Sequence, residues 1–195
     1  CGATGSVTVI FTATDDCGLN SSTSATFTIE DTTGPSIDTH AADMTVQCDG
    51  AGNTAALQTW LDSHGGAEAS DNCSGVTWSN DYSNEKFNYV CGATGSVEVI
   101  FTATDDCDNI ATTFATFTIE DTTPPSIDTH AKNETVECDG HGNMTELDAW
   151  LNNHGGASAS DVCSEVTWSN DYESLSNDCG ATGSVTVIFT ATDDC

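Results

Sequence analysis

Internal repetition is the feature that most limits what this chain can fold into. Residues 1–17 read CGATGSVTVIFTATDDC, and residues 179–195 repeat them letter for letter. Residues 91–107 differ only in carrying Glu98 in place of threonine. The segment therefore returns after 90 residues and again after 88. Other segments recur in the same phase: DTTGPSIDTHA at 31–41 with DTTPPSIDTHA at 121–131, TVQCDG with TVECDG, and GVTWSNDY with EVTWSNDY. Copies that return in order and in step mark a tandem array, so the fold must be solvable within about ninety residues and then repeated.

Turn chemistry divides the array. The runs 30–35 (EDTTGP) and 120–125 (EDTTPP) are polar and carry proline, and each closes one alternating strand before another begins. They read as linkers. On that division residues 1–30 are the C-terminal strands of one module, 31–120 a complete repeat module, and 121–195 a module lacking its last strand. The chain has no initiator methionine or signal peptide and starts and stops on cysteine, which suggests a window on something longer.

Within a module the periods are readable. Val97, Val99, Phe101 and Ala103 alternate with Glu98, Ile100 and Thr102, and after a polar turn Ala115, Phe117 and Ile119 alternate with threonines. Period two with β-branched and aromatic residues predicts a half-buried hairpin. Residues 45–48 and 76–79 predict two further strands. Between them, residues 53–65 place Leu57, Trp60 and Leu61 on one helical face with Gly65 as the stop, and residues 143–155 repeat this with Leu147, Trp150 and Leu151.

Charge excludes several partners. Lys86 and Lys132 are the only basic residues against 31 acidic ones, a formal net charge of −29. Phosphate recognition needs clusters of lysine and arginine, so neither nucleic acid nor an anionic membrane is an expected partner. No apolar run reaches bilayer-spanning length, so direct membrane insertion is not expected either. Ten cysteines without a Cys-x-x-Cys motif point to an oxidising, extracellular compartment rather than to zinc.

The run TATDDCDN followed by ATFTIEDTTPPSI resembles the end of a hyalin repeat, a module of the immunoglobulin-like β-sandwich group. TVECDG, the helix and CGATG are similar to a cysteine-rich variant found many times over in giant surface adhesins of gliding bacteria. The resemblance covers the whole chain. It implies tandem immunoglobulin-like β-sandwich modules, mostly β, each with one short inserted helix. It also implies a cell-surface filament or adhesin stalk that meets neighbouring repeats of the same polymer, and surface polysaccharide or other cells.

Strand direction ranks the disulfide pairings. If the first strand rises to Cys48, the helix returns to Cys73, the next strand climbs to Cys91 and the following one descends to Cys107, then Cys48 meets Cys91 and Cys73 meets Cys107. A Cys91–Cys107 bond would have to close across a strand of about 26–33 Å, whereas a disulfide accepts Cα atoms under about 7 Å apart. The expected set is Cys48–Cys91, Cys73–Cys107, Cys138–Cys179 and Cys163–Cys195, with Cys1 and Cys17 bonded upstream. Within-module loops of 42 and 33 residues would each stabilise by on the order of 3–4 kcal/mol.

The same topology brings Glu30, Asp31, Asp71, Asp105 and Asp106 to one pole, with Glu120, Asp121, Asp161, Asp193 and Asp194 as their copies. Converging carboxylates suit calcium, which takes six to eight oxygens in irregular geometry. The other reading is that these are turn residues, a role aspartate fills without any metal. Trp78 and Trp168 read as core rather than sugar-stacking residues, Trp60 and Trp150 as helix anchors, and His64 and His154 as caps in the last helical turn. Thr32 and Thr122 are glycosylation candidates in Asp-Thr-Thr, and Asn20, Asn72, Asn133 and Asn143 begin Asn-x-Ser/Thr sequons. No enzyme is expected: each acidic cluster recurs with the repeat, whereas an active site needs one irregular constellation. A repeated carbohydrate-binding module is the alternative, and its mark would be exposed aromatic rings.

Overall fold

Threonines alternate with valine, phenylalanine and alanine along several stretches of the chain, and such β-branched and aromatic residues favour the pleated, half-buried surface of a strand. The computed structural model describes all 195 residues. In order they form β1 (Gly5–Thr14), β2 (Asn20–Ile29), β3 (Ser36–Thr39), β4 (Met44–Gln47), α1 (Thr54–Asp62), β5 (Glu68–Ser70) and β6 (Val76–Asn80). There follow β7 (Asn88–Tyr89), β8 (Gly95–Asp105), β9 (Ile110–Glu120), β10 (Ser126–Thr129), α2 (Met144–Asn152), β11 (Ser158–Ser160), β12 (Val166–Asn170) and β13 (Phe189–Asp193). The chain is mostly β, with two short helices that fall one repeat apart.

The main sheet has the order β4-β9-β8-β6, with β7 also paired to β8. Its centre is the hairpin that alternation predicts. Val97, Val99, Phe101 and Ala103 are buried from β8, and Ala115, Phe117 and Ile119 from β9. A separate antiparallel ribbon joins β3 to β5, with Ile37 opposite Ala69. The later copy repeats these pairings: β10 with β11, Ile127 opposite Ala159, and β12 with β13, Trp168 opposite Ala191 as Trp78 is opposite Ala103.

Helix α1 forms because Leu57, Trp60 and Leu61 recur at helical spacing, and all three are buried. The Trp60 ring meets Phe101 edge-on at 5.2 Å and tilts against Phe117 at 5.5 Å, and its Nε1–H donates to Ala42 O at 3.1 Å. Trp60 thus anchors the helix to β8 and β9, as the sequence suggests. Gly65 ends the segment at φ +64°, where a Cβ would lie 3.1 Å from Ala41 Cβ and 3.3 Å from the Phe101 ring. A side chain there would face both backbone strain and crowding.

The chain divides into two compact units, and their boundaries do not follow the repeat boundaries. One comprises Cys1–Met44, Ala55–Phe87 and Val97–Phe117; the other comprises Thr45–Thr54, Asn88–Ser96 and Thr118–Cys195. Each unit therefore takes chain from more than one sequence repeat.

The hairpin β1–β2 is the copy of β8–β9, yet every one of its twenty residues is exposed. Val7, Phe11 and Phe27 are 55%, 58% and 67% exposed, whereas Val97, Phe101 and Phe117 at the same repeat positions are at most 2% exposed. No helix covers the apolar face of β1–β2.

Candidate functional site

Two kinds of chemistry recur with the repeat, disulfide bonding and carboxylate clustering. Three disulfides form: Cys1–Cys107, Cys48–Cys163 and Cys91–Cys195, with Cα separations of 5.1, 6.0 and 5.6 Å. Cys17, Cys73, Cys138 and Cys179 are free. This corrects the within-module pairing of Cys48 with Cys91, Cys73 with Cys107, Cys138 with Cys179 and Cys163 with Cys195. It also corrects the expectation that Cys1 bonds upstream.

The reason for the difference is local. The CGATG turn of one repeat lies against the Asp-x-Cys loop of the next: Ala3 N–H donates to Cys73 O at 3.2 Å and Ala93 N–H to Cys163 O at 3.0 Å. Gly50, beside Cys48, packs so closely on the next repeat that a Cβ would lie 2.5 Å from Val162 O. These contacts hold the cysteines of successive repeats within bonding reach. The argument against a Cys91–Cys107 bond agrees with the structure, in which β8 runs between those two residues.

The acidic residues are held by the turns they make. Asp71 Oδ1 accepts from Cys73 N–H at 2.8 Å and Ser74 N–H at 2.9 Å, and Asp161 repeats this with Cys163 and Ser164. Asp105 Oδ1 accepts from Cys107 N–H and Asn109 N–H, and its Oδ2 from Asn109 Nδ2. Burial opposes ionisation of Asp105, but the hydrogen bonds from Asn109 and Cys107 outweigh it and hold its carboxyl below the ordinary aspartate range. The three loops do meet: Asn109 Nδ2 donates to Asp31 O at 3.3 Å, and Asp106 N–H donates to Ser74 Oγ at 3.2 Å.

Within this pole only Asp31, Asp71 and Cys73 bring ligand atoms within 4.8 Å of one another, and Asp121, Asp161 and Cys163 do the same in the next copy. Glu30, Asp105, Asp106, Glu120, Asp193 and Asp194 are not in these clusters. Asp31 Oδ1 accepts from Thr33 N–H, and Asp121 Oδ1 accepts from Gln47 Nε2 and Thr123 N–H. Their Oδ2 atoms are buried and have no hydrogen-bond partner. An acceptor left in that state is costly. Burial, and then the charges of Asp31, Asp71 and Asp105, push the Cys73 thiol up.

His64 and His154 lie in the short turns 64–66 and 154–156 that follow α1 and α2. The His64 ring stacks on Trp78 at 4.9 Å and the His154 ring on Trp168 at 4.8 Å, so a flat partner covers each strand tryptophan and leaves it half-buried. Thr32 is exposed, and Thr122 Oγ1 donates to Gln47 Oε1.

The bracket at CDG-x-GN is a feature that sequence reasoning passed over. Asp49 Oδ1 accepts from Ala51 N–H and Asn53 N–H, while Asn53 Oδ1 accepts from Asp49 N–H and Asn53 Nδ2 donates to Gln47 O. Asp139 and Asn143 rebuild it. The recurrence of CDGAGN as CDGHGN was its signal. No protein-family model matches the chain, and no curated protein matches its sequence.

Proposed function

We propose that this chain is a structural segment of an extracellular filament or adhesin stalk, built from hyalin-like, immunoglobulin-like repeats displayed at the cell surface. The observation that carries this reading is that every disulfide joins one repeat to the next rather than closing a repeat on itself. Within-module staples would suffice to hold up independent domains. Bonds between consecutive repeats instead make the array continuous, which serves a scaffold. Three disulfides also fit an oxidising compartment, and the charge of −29 keeps such a polymer soluble and apart from its neighbours. The test is immunogold labelling of intact source cells with antibody raised against this chain. Gold on surface fibres is expected; labelling only after permeabilisation would refute the reading.

The same reading assigns calcium to the pairs Asp31–Asp71 and Asp121–Asp161. The buried, unpartnered Oδ2 atoms of Asp31 and Asp121 favour a cation over simple turn chemistry. The thiol and disulfide sulfurs beside them would not serve as ligands, since calcium takes oxygen. Calcium at about 100 times its dissociation constant would add about 2.7 kcal/mol of stability. The expected result is a raised unfolding midpoint with calcium that sodium chloride at matched ionic strength does not reproduce, and that Asp31→Asn with Asp121→Asn abolishes. Equal shifts with both salts would reduce the effect to screening.

A further inference from the structure

The three disulfides follow one rule: each joins a cysteine of one repeat to a cysteine of the next. Each repeat can carry four cysteines: one opening CGATG (Cys1, Cys91, Cys179), one closing TATDDC (Cys17, Cys107, Cys195), one in CDG (Cys48, Cys138) and one in Asp-x-Cys (Cys73, Cys163). Cys1–Cys107 and Cys91–Cys195 each join the CGATG cysteine of one repeat to the TATDDC cysteine of the next. Cys48–Cys163 joins the CDG cysteine of one repeat to the Asp-x-Cys cysteine of the next. Under this rule the partners of Cys138 and Cys179 belong to a repeat one step later, and those of Cys17 and Cys73 to repeats one step earlier. These four are the free cysteines.

Backbone geometry carries the same signature independently. Gly2 and Gly92 take positive φ, and a Cβ on them would lie 2.4 Å from Cys73 O and 2.1 Å from Cys163 O, so only glycine fits where the turn meets the next repeat. Gly180 holds the same conformation, φ +61°, with open space where that carbonyl would lie. Gly50 would place a Cβ 2.5 Å from Val162 O, whereas its copy Gly140 has open space. The bare apolar face of β1–β2 matches, position by position, the face of β8–β9 that α1 covers.

We propose that Cys138 and Cys179 are one half of a two-disulfide junction, and that its other half is a further copy of this same repeat. That copy supplies an Asp-x-Cys cysteine to Cys138 and a TATDDC cysteine to Cys179. Each bond forms from two thiols, which release two protons and pass two electrons to a disulfide-class oxidant such as oxidised glutathione; that oxidant leaves as two thiols. The proposal deepens the structural reading above but rests on the bonding pattern alone, so surface labelling and thiol mapping can fail separately.

The test uses the identity of residues 1–17 and 179–195, which lets residues 18–195 be appended after Cys195 without a seam. The original and the lengthened chain are refolded in a glutathione redox buffer, alkylated without reduction, and mapped by mass spectrometry. In the original chain Cys17, Cys73, Cys138 and Cys179 should be alkylated. In the lengthened chain Cys138 and Cys179 of the first copy should become protected, in peptides joined to Cys73 and Cys107 of the second. The lengthened chain should still show four free thiols. Persistent alkylation of Cys138 and Cys179 in the first copy, or a Cys138–Cys179 peptide in either chain, would overturn the proposal. Circular dichroism identical per residue in the two chains guards against misfolding as the cause.

Discussion

Cys48→Ser is expected to lower the free energy of unfolding by about 3–5 kcal/mol, and Cys138→Ser by less than about 0.5 kcal/mol. The two cysteines hold the same place in the repeat, but Cys48 is buried and bonded across a sequence separation of 115 whereas Cys138 is exposed and free. A loop near 100 residues is worth about 4.7 kcal/mol in the chain-entropy model, more than the shorter loops of within-module pairing. Urea unfolding of the two variants and the parent, followed by circular dichroism, gives the comparison. Equal losses would mean that Cys138 is also disulfide-bonded in solution.

Trp60→Ala should cost about 3–5 kcal/mol, since it removes the ring wedged against Phe101 and Phe117 and leaves Ala42 O without its donor. Trp60→Phe retains an aromatic body and should lose about 1–2 kcal/mol, chiefly through the missing hydrogen bond. Trp78→Ala, which removes a half-buried ring stacked on His64, should cost less than Trp60→Ala. Calorimetry of the three variants decides the order. A Trp60→Ala loss under about 1 kcal/mol would mean that α1 is not what closes the core over β8 and β9.

The parts of this fold that were legible in the sequence are those set by local period. Val97, Val99, Phe101 and Ala103 announce a buried strand face because successive side chains alternate, and Leu57, Trp60 and Leu61 announce a helix because they recur at its turn. The disulfides were not legible, for a reason the repeat itself imposes. The residues around Cys73 and Cys163 are so alike that the letters do not say whether Cys48 belongs with its own repeat or with the next. Only the approach of Gly92 to Cys163 O and of Gly50 to Val162 O decides it. The convergence of loops at Asp31, Asp71 and Asp105 could be argued from strand direction, but the division of labour among them could not. Asp105 spends both oxygens on Asn109 and Cys107, while Asp31 keeps one oxygen unpartnered. The stacking of His64 on Trp78 was not legible either, because no local period links the two residues.

The overlap of the staples also decides what happens when the chain is pulled by its two ends. From Cys1 the shortest covalent route crosses sulfur to Cys107, runs backwards along β8 to Cys91, and crosses sulfur again to Cys195. Tension therefore bypasses all of the polypeptide except residues 91–107. At about 3.3–3.6 Å per residue that segment can reach no more than ~60 Å, against ~650–700 Å for the whole chain drawn straight. Most of the stretch under load is β8, already extended at the centre of the main sheet, with Val99, Phe101 and Ala103 fully buried. Hardly any slack remains to be released, so the chain would respond to traction as an almost inextensible tether for as long as its sulfur links stay oxidised.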